Sequence, residues 1–552
     1  MSAAAESALA LMGKKLGGQL AAALQKDGTT PGLSSVSGLT YYYLEQTAKN
    51  IYPVMYPILA STPRVAPEWG GQRVGGTAVN WKAVTAISNG GAPWTSEGNR
   101  NAYMNITTKT LTANHKSWGP DTKVTFFAQQ AGLGFDSNLA IAQMGALNQL
   151  LNDEERMIIF GNSGPASAGG NGFALGQCAQ PKLTTATTGG SIPASTNCSV
   201  YCVELTGWGV NYSGGIIQYG LAAGGQGKSG VQLPFVRTNA DNSQDTINGG
   251  SGIISAASAI TETGSGTSTN TITATVTGST AAMGWAWFID TTDSGTPSLA
   301  NAYFAGVTSV PTITILSVPS TSTNQAANAT GAGTTSLQTD NSWNTLDIDG
   351  ISTWFIGTTG ATNPTTGGTL QAYLKNQQGL GWTSNGDSTI KEVEACADYL
   401  WTNYKASVDA IYLGGNLIQS FSRAAWVNGS GNNGANFIMI SRDQDGSTYS
   451  GQIIRNYIWK YSNTAQQKVI PVRAHPWLPQ GVCMFDITIN PYPAAGGAIP
   501  AVRRMVMLED HFAIRYPYTN LQHQLGVYAF GTLQHYLAFC GGLIVGIANT
   551  VQ

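Results

Sequence analysis

The chain has 552 residues, a formal net charge of −2 and only 10% charged residues, with 68 glycines. So little charge beside 42% hydrophobic and 9% aromatic residues excludes an intrinsically disordered chain, and the near-neutral balance names no polyanionic partner. The length predicts about two to four domains with sizeable cores.

Residues 3–26 are Ala-rich, with Leu9, Met12, Leu16, Leu20 and Ala23 tracing one face until Asp27-Gly28, which predicts a short amphipathic helix. With only Lys14, Lys15 and Lys26 as its basic residues, it reads as an arm packed on protein rather than on a membrane. Glu6 and the Lys14-Lys15 pair do not give the order of a signal peptide. Pro31, Pro53, Pro57, Pro63 and Pro67 make residues 29–75 extended. From Thr77 the pattern has period two, with Val79, Trp81 and Ala83 on one leg and Met104 and Ile106 on the return. Between them lies a turn-rich tip, SNGGAPWTSEGNRN, at residues 88–101. A two-stranded ribbon of this kind is marginal alone in water, so it needs a surface to lie on. The simplest surface is another copy of the chain.

The strongest helix signal is Phe135–Asn162. Asp136 or Ser137 can cap it, Met144, Leu147, Leu151 and Ile158 recur along one face, and Gly161-Asn162 end it. Gly164–Gly172 then reads as a linker, and residues 180–340 as an all-β module. Its marks are SVYCVELTGWGV at 199–210 and NTITATVTGSTAAMGWAWFID at 270–290, with Trp285 and Trp287 as core aromatics of an immunoglobulin-like or fibronectin-type-III-like sandwich. Ser320–Asp340 reads as a polar linker back. From Trp343 the character is mixed: a helix over 388–405 capped by Ser388 or Thr389, a strand at 408–413, another helix from about Asn416, and strands at 469–472, 482–489, 505–516 and 527–547.

Chemistry is sparse. Ala222–Ser229, AAGGQGKS, resembles a phosphate loop but lacks its first glycine and is followed by a strand pattern, so it reads as a turn. Glu509-Asp510-His511 is the densest ionisable cluster, but strand alternation sends neighbours to opposite faces. Asp153, Glu154, Glu155 and Arg156 read as a solvated or inter-subunit face of the long helix. Cys178, Cys198, Cys202, Cys396, Cys483 and Cys540 lack metal spacing and read as free thiols. No catalytic, cofactor-binding or metal site is expected, and the longest apolar run, Tyr536–Ala548, is shorter than the ~18 residues that span a membrane.

Taken in order, these elements resemble the major capsid proteins of tailed bacteriophages, the Hong-Kong-97-type fold. The local likeness lies in DEERMIIFGN at 153–162, DIDGI at 347–351, EVEACADYLWTNYKASVDAIYLGG at 392–415 and YAFGTLQHYLAFCGGLIVGI at 528–547. The resemblance implies an α+β chain: N-terminal helix and arm (1–76), extended β-loop (77–127), spine helix and first part of the peripheral domain (128–179), inserted sandwich (180–342), axial domain (343–480) and peripheral return strands (481–552). It implies a non-enzymatic subunit of an icosahedral virion shell, assembled in the host cytoplasm as hexamers and pentamers around double-stranded DNA held non-specifically. Scaffold, portal or cement proteins are the further partners. The loop tip with Trp94, Glu97 and Arg100 is expected on an adjacent subunit. A secreted or surface carbohydrate-binding or adhesive β-rich protein is the alternative, disfavoured by the absent signal peptide.

Overall fold

The computed structural model describes residues 55–69, 72–88, 94–101, 103, 105–132, 137–214, 228–292, 295–331, 336–357, 370–385, 389–426, 453–461, 468–492, 501–518 and 520–551. The helix expected at 3–26, most of the extended arm, and the phosphate-loop-like run up to residue 227 lie outside these residues.

The fold is mixed α+β. The long helix runs Asn138–Phe160, and Ser137 is its cap, its hydroxyl accepting from the Ala140 N–H. Gly161 ends it because a Cβ there would stand 2.4 Å from the Ile348 carbonyl oxygen; a close approach of two backbones, not a left-handed turn, requires the glycine. The helix lies on a five-stranded sheet in which Arg64–Val65, Arg503–Arg515, Gln522–His535 and Lys116–Trp118 are successive neighbours, with Asp121–Thr125 also paired to Gln522–His535. Ala146 and Leu150 pack with Val527 beneath it. Of the predicted face, Ile158 is fully buried, Leu147 and Leu151 are partly so, and Met144 is 59% exposed. The buried stripe of the N-terminal half is therefore rotated toward Ala146 and Leu150, because the sheet meets the helix on that side.

A six-stranded sheet follows the order Tyr373–Asn376, Gly542–Val545, Cys483–Asp486, Ala410–Gly414, Lys468–His475, Asn456–Trp459. Alternation explains its uninterrupted apolar runs. Ile411, Leu413, Cys483, Phe485 and Ile544 face a core built with the helices Lys391–Tyr404 and Leu417–Trp426. Tyr412, Met484, Leu543 and Val545 face the end of the long helix at Ile158 and Ile159. A strand covered on both faces has no position left for polar residues. Cys483–Asp486 and Gly542–Val545, grouped on sequence with the return strands, lie in this sheet, while 503–535 lie in the five-stranded one. The helix Lys391–Tyr404 buries Val393, Ala397, Leu400 and Tyr404 as its periodicity predicts; Ile390 stands at its N-cap, without a side-chain cap.

The inserted region forms two antiparallel sheets. One has the order Thr261–Glu262, Asn197–Leu205, Gly284–Asp290, Tyr303–Thr308, and the other Thr312–Ile315, Thr271–Thr275, Lys182–Ala186. Val200, Cys202, Trp285 and Trp287 from the first meet Ile272, Ala274 and Ile315 from the second. The opposite face of the first sheet carries Tyr201, Val203, Ala286 and Phe288 against Val231, Leu233, Ile254 and Leu337, which is why Gly284–Asp290 is buried at every residue.

The flanks that read as linkers are packed. Asn162 Nδ2 donates to the Phe173 and Ser342 carbonyls at 2.9 and 3.1 Å, Ser229 pairs with Asn324, and Tyr303 with Ala326. Asn376 Nδ2 reaches the Ser279 carbonyl at 2.7 Å, and Met283 joins the core around Phe160. Small polar residues serve as linkers only where their backbone groups find no partners. Joining residue 175 to residue 343 through a short Gly/Ser linker should consequently lower the thermal unfolding midpoint of the remaining chain, because Phe160 and Arg156 lose their cover. An unchanged midpoint in calorimetry would count against this packing role.

Candidate assembly interface

The ribbon pairs Ala78–Ser88 with Asn105–Asn114, from Ala78 opposite Asn114 to Ser88 opposite Asn105. At about 3.3 Å per residue each leg spans roughly 35 Å. Its base is anchored: Trp81 and Ala113 are buried, and the Trp81 ring lies 5.8 Å from Trp354 and 6.0 Å from Tyr536. Asn171 Nδ2 donates to the Thr112 carbonyl at 2.7 Å, and Lys116 Nζ to that of Thr345 at 2.5 Å. Among the described residues, the distal part lacks such cover. Trp94 is 80% and Tyr103 93% exposed, and Glu97 and Arg100 are exposed beside them. Gly98, at φ +81°, supplies the left-handed residue of a turn closed by Asn99 N–H to the Ser96 carbonyl at 3.1 Å.

Between the ribbon base and the sheets, the charged end of the long helix is buried within its own chain and does not form the solvated or inter-subunit face expected of it. Glu154 and Glu155 have no exposed surface and Arg156 little. Glu155 Oε1 and Oε2 accept the N–H groups of Ile58 and Leu59 at 2.9 and 2.6 Å, capping the short helix Pro57–Ser61. The Trp477 N–H donates to His475 Nδ1 at 3.2 Å, which leaves Nε2 to donate to Glu155 Oε1 at 2.8 Å. Glu154 takes Arg64 Nη2 at 3.1 Å and lies 3.0 Å from His511 Nε2. Arg156 bonds Asp153 and the Tyr212 hydroxyl, and its guanidinium lies 4.8 Å from the Trp477 ring centre. Burial pushes the Asp153 carboxyl up, against the pull of Arg156 and Gln149.

Glu509-Asp510-His511 is also drawn in. The strand is irregular on both sides of Glu509, and such a bulge breaks alternation, so both Asp510 and His511 reach the Arg64–Glu154 pair while Glu509 turns to Arg73 at 3.0 Å. Partial burial works against the Asp510 charge, yet the Arg64 fork, at 2.9 and 2.5 Å, holds its carboxyl below the ordinary range. Nearby, Arg503 bonds Asp486 and the Thr62 hydroxyl. Burial, with the Arg503 charge, lowers the His535 imidazole to about 3. The sequence signal for this cluster is four successive charges on a helix in a chain that uses few.

The DIDG turn, residues 347–350, closes the end of the long helix. Asp349 Oδ1 accepts the Ser163 N–H and hydroxyl at 3.0 and 2.7 Å, and the Gly350 N–H donates to the Gly161 carbonyl at 2.8 Å. The Asp347 carboxyl turns in under Gly161. Burial, reinforced by Asp349 and opposed by the Ile348 N–H, pushes it up to about 7. Among the described residues, no group of three or more His, Cys, Asp or Glu side chains is placed to hold a metal ion, and no helix is long and apolar enough to cross a membrane. Of the phosphate-loop-like run, Lys228 donates to the Thr321 carbonyl at 2.9 Å.

The described residues thus form an α+β chain with a two-stranded ribbon and a long helix lying on its sheets. No family model and no curated protein matches it. Among the solved structures to which it is similar are three capsids. The capsid of a native GTA particle has 9% identity and a TM-score of 0.35, covering 95% of this chain and 100% of that one. The capsid of Myoviridae phage XM1 has 6% identity and a TM-score of 0.34, over 93% and 100%. The mature capsid of bacteriophage PhiM1 has 6% identity and a TM-score of 0.32, over 94% and 98%.

Removing one partner of a buried charge cluster leaves the others uncompensated. Glu155→Ala should cost about 3–5 kcal/mol in urea unfolding, and Glu155→Gln, which keeps an acceptor for one of the two N–H groups, distinctly less. For Asp347 the raised carboxyl means that, between about pH 4 and 7, the unfolded chain releases a proton that the folded chain keeps. Stability therefore falls as pH rises through that window. Asp347→Asn should flatten the fall, so that its urea midpoint exceeds that of the parent above about pH 7 and converges with it near pH 4; parallel curves would remove Asp347 as the cause.

Proposed function

We propose that the chain is the major capsid protein of a tailed bacteriophage, assembling as hexamers and pentamers into an icosahedral shell around double-stranded DNA. The observation that carries this reading is the ribbon, held firmly at Trp81 while Trp94 and Tyr103 at its far end stay almost fully exposed. Burying an aromatic side chain contributes on the order of 2 kcal/mol, and a chain that leaves this on a projecting tip gains it by laying the tip on a neighbour. The same order of arm, ribbon, long helix and two sheets supports the reading. Trp94 is the apolar anchor of that contact, and Glu97 and Arg100 fix its register on the adjacent subunit. The exposed Met144 face of the long helix contributes to packing in the assembled state.

The DNA contacts are few and non-specific, since no basic run is present to release many counterions. Assembly takes place in the host cytoplasm, with scaffold, portal or cement proteins as further partners. The inserted sandwich faces outward, where a neutral Ser/Thr/Asn surface meets only solvent. Electron microscopy and native mass measurement of the purified protein test the reading: closed shells or capsomers are expected, and a chain that stays monomeric at high concentration would refute it. Replacing residues 88–101 by a two-residue turn should leave circular dichroism and the unfolding midpoint unchanged but abolish shells. Normal particles from that variant would show that the tip makes no essential contact.

A further inference from the structure

The five-stranded and six-stranded sheets meet at a buried arginine. Arg503 begins the strand Arg503–Arg515, and its guanidinium reaches Asp486, at the end of Cys483–Asp486 in the six-stranded sheet. Its other nitrogens hold the entry of the chain: Nε donates to the Thr62 hydroxyl at 3.1 Å and Nη2 to the Ser61 hydroxyl at 3.2 Å. One cation thus ties both sheets and the entry segment together, and the fully buried Asp486 balances its charge.

His535 stands directly opposite Arg503 on the paired strand. It is buried, its ring lies edge-on to Phe355 at 6.0 Å, and among the described residues neither Nδ1 nor Nε2 has a hydrogen-bond partner. Burying polar atoms without partners is costly, and an apolar side chain would fill the place without that cost. The other charged and titratable groups around the joint are engaged. Asp409 holds Lys468 at 2.5 Å and the N–H groups of Thr488 and Ile489 at 2.7 Å. Glu155 holds His475 at 2.8 Å, and Arg504 bonds Gln534, the next cross-strand pair, at 2.8 Å. Burial, then Asp486, pushes the Tyr412 hydroxyl up against the pull of Arg503 and Arg473, so it stays protonated in acid.

We propose that His535 is an acid trigger for this joint: a proton taken up by its ring sets a second buried cation against Arg503, and the hairpin of Arg503–Arg515 and Gln522–His535 parts from Asp486 and from Ser61 and Thr62. In the closed joint burial, with the Arg503 charge, holds the imidazole down to about 3 against an ordinary value of 6.5. As pH falls between those values, an opened joint binds a proton that the closed one does not, so the closed state loses stability through that window. The Asp486 carboxyl works the other way. Burial pushes it up against the pull of Arg503, so the closed joint keeps a proton that the opened one releases, which firms the joint as pH falls. The effect of His535 is therefore read as a difference between the parent and a variant that lacks the imidazole.

The test is hydrogen exchange of unassembled full-length subunits, corrected for the intrinsic pH dependence, in the parent, His535→Leu and His535→Phe. Two apolar replacements of different size are used, and either one that folds suffices. Relative to the variant, exchange of peptides covering 503–507 and 532–536 in the parent should rise by up to about tenfold per pH unit from about pH 6 to about pH 4. Thr271–Thr275, in the inserted region, should show no such difference. Equal pH profiles in parent and variant would overturn the proposal, and so would a difference of the same size at 271–275, which marks unfolding of the whole chain rather than of the joint. Because the subunits are unassembled, the outcome does not depend on shell formation.

Discussion

Glu155 is a carboxylate with no exposed surface, and its hydrogen bonds end on two other parts of the chain: the backbone of Pro57–Ser61 and His475 at the end of a strand of the six-stranded sheet. Withdrawing such a group from water costs several kcal/mol, and two backbone N–H groups at a helix start with one imidazole N–H offset it. The arrangement is therefore all or nothing. If the arm residues leave, Glu155 loses two of its three hydrogen-bond donors and keeps only His475, so the entry of the chain, the long helix and the six-stranded sheet hold one another in place.

Glu154 repeats the logic one residue earlier and toward the other sheet. Through Arg64 and His511 it ties the short strand Arg64–Val65 and the irregular strand Arg503–Arg515 to the same helix turn. Arg156 completes the set by turning to Tyr212 and Trp477, which brings the inserted region into the network. Three successive helical side chains thus point in three directions, each to a different body. A helix surface can do this because successive residues are turned by about 100°, and a helix end buried on all sides needs a polar partner for each.

The ribbon leaves from Trp81 and Ala113, braced by Lys116 and Asn171, and beyond that brace Trp94, Tyr103 and Ile106 are exposed among the described residues. The N-terminal half of the long helix is likewise uncharged, with Ile141 and Met144 exposed among the described residues. The chain has only 29 acidic and 27 basic residues among 552, and exposed apolar side chains occur on many elements besides the ribbon and the long helix, Phe127, Ile458, Ile489 and Leu521 among them.

Local pattern determined much of this protein. The period-two legs of the ribbon, the helix ended at Gly161, the helix over 391–404 and the aromatic strand at 284–290 were all legible, because periodicity and capping act within a few residues of sequence. Other features were decided by tertiary structure. Asp153–Arg156 read as a solvated or inter-subunit face because i to i+3 spacing says nothing of what covers a helix; four parts of the chain converge there, and burial follows from their meeting. Asp510 and His511 read as pointing apart because alternation assumes a regular strand, and the irregularity that turns both to Arg64 depends on how the hairpin partner pairs. The Ser320–Asp340 segment read as a linker by composition, yet its backbone finds partners at Ser229 and Tyr303 more than 15 residues away. Sequence alone fixes what each segment prefers; which charges are buried, and which polar backbone is satisfied, depends on contacts between segments far apart in the chain.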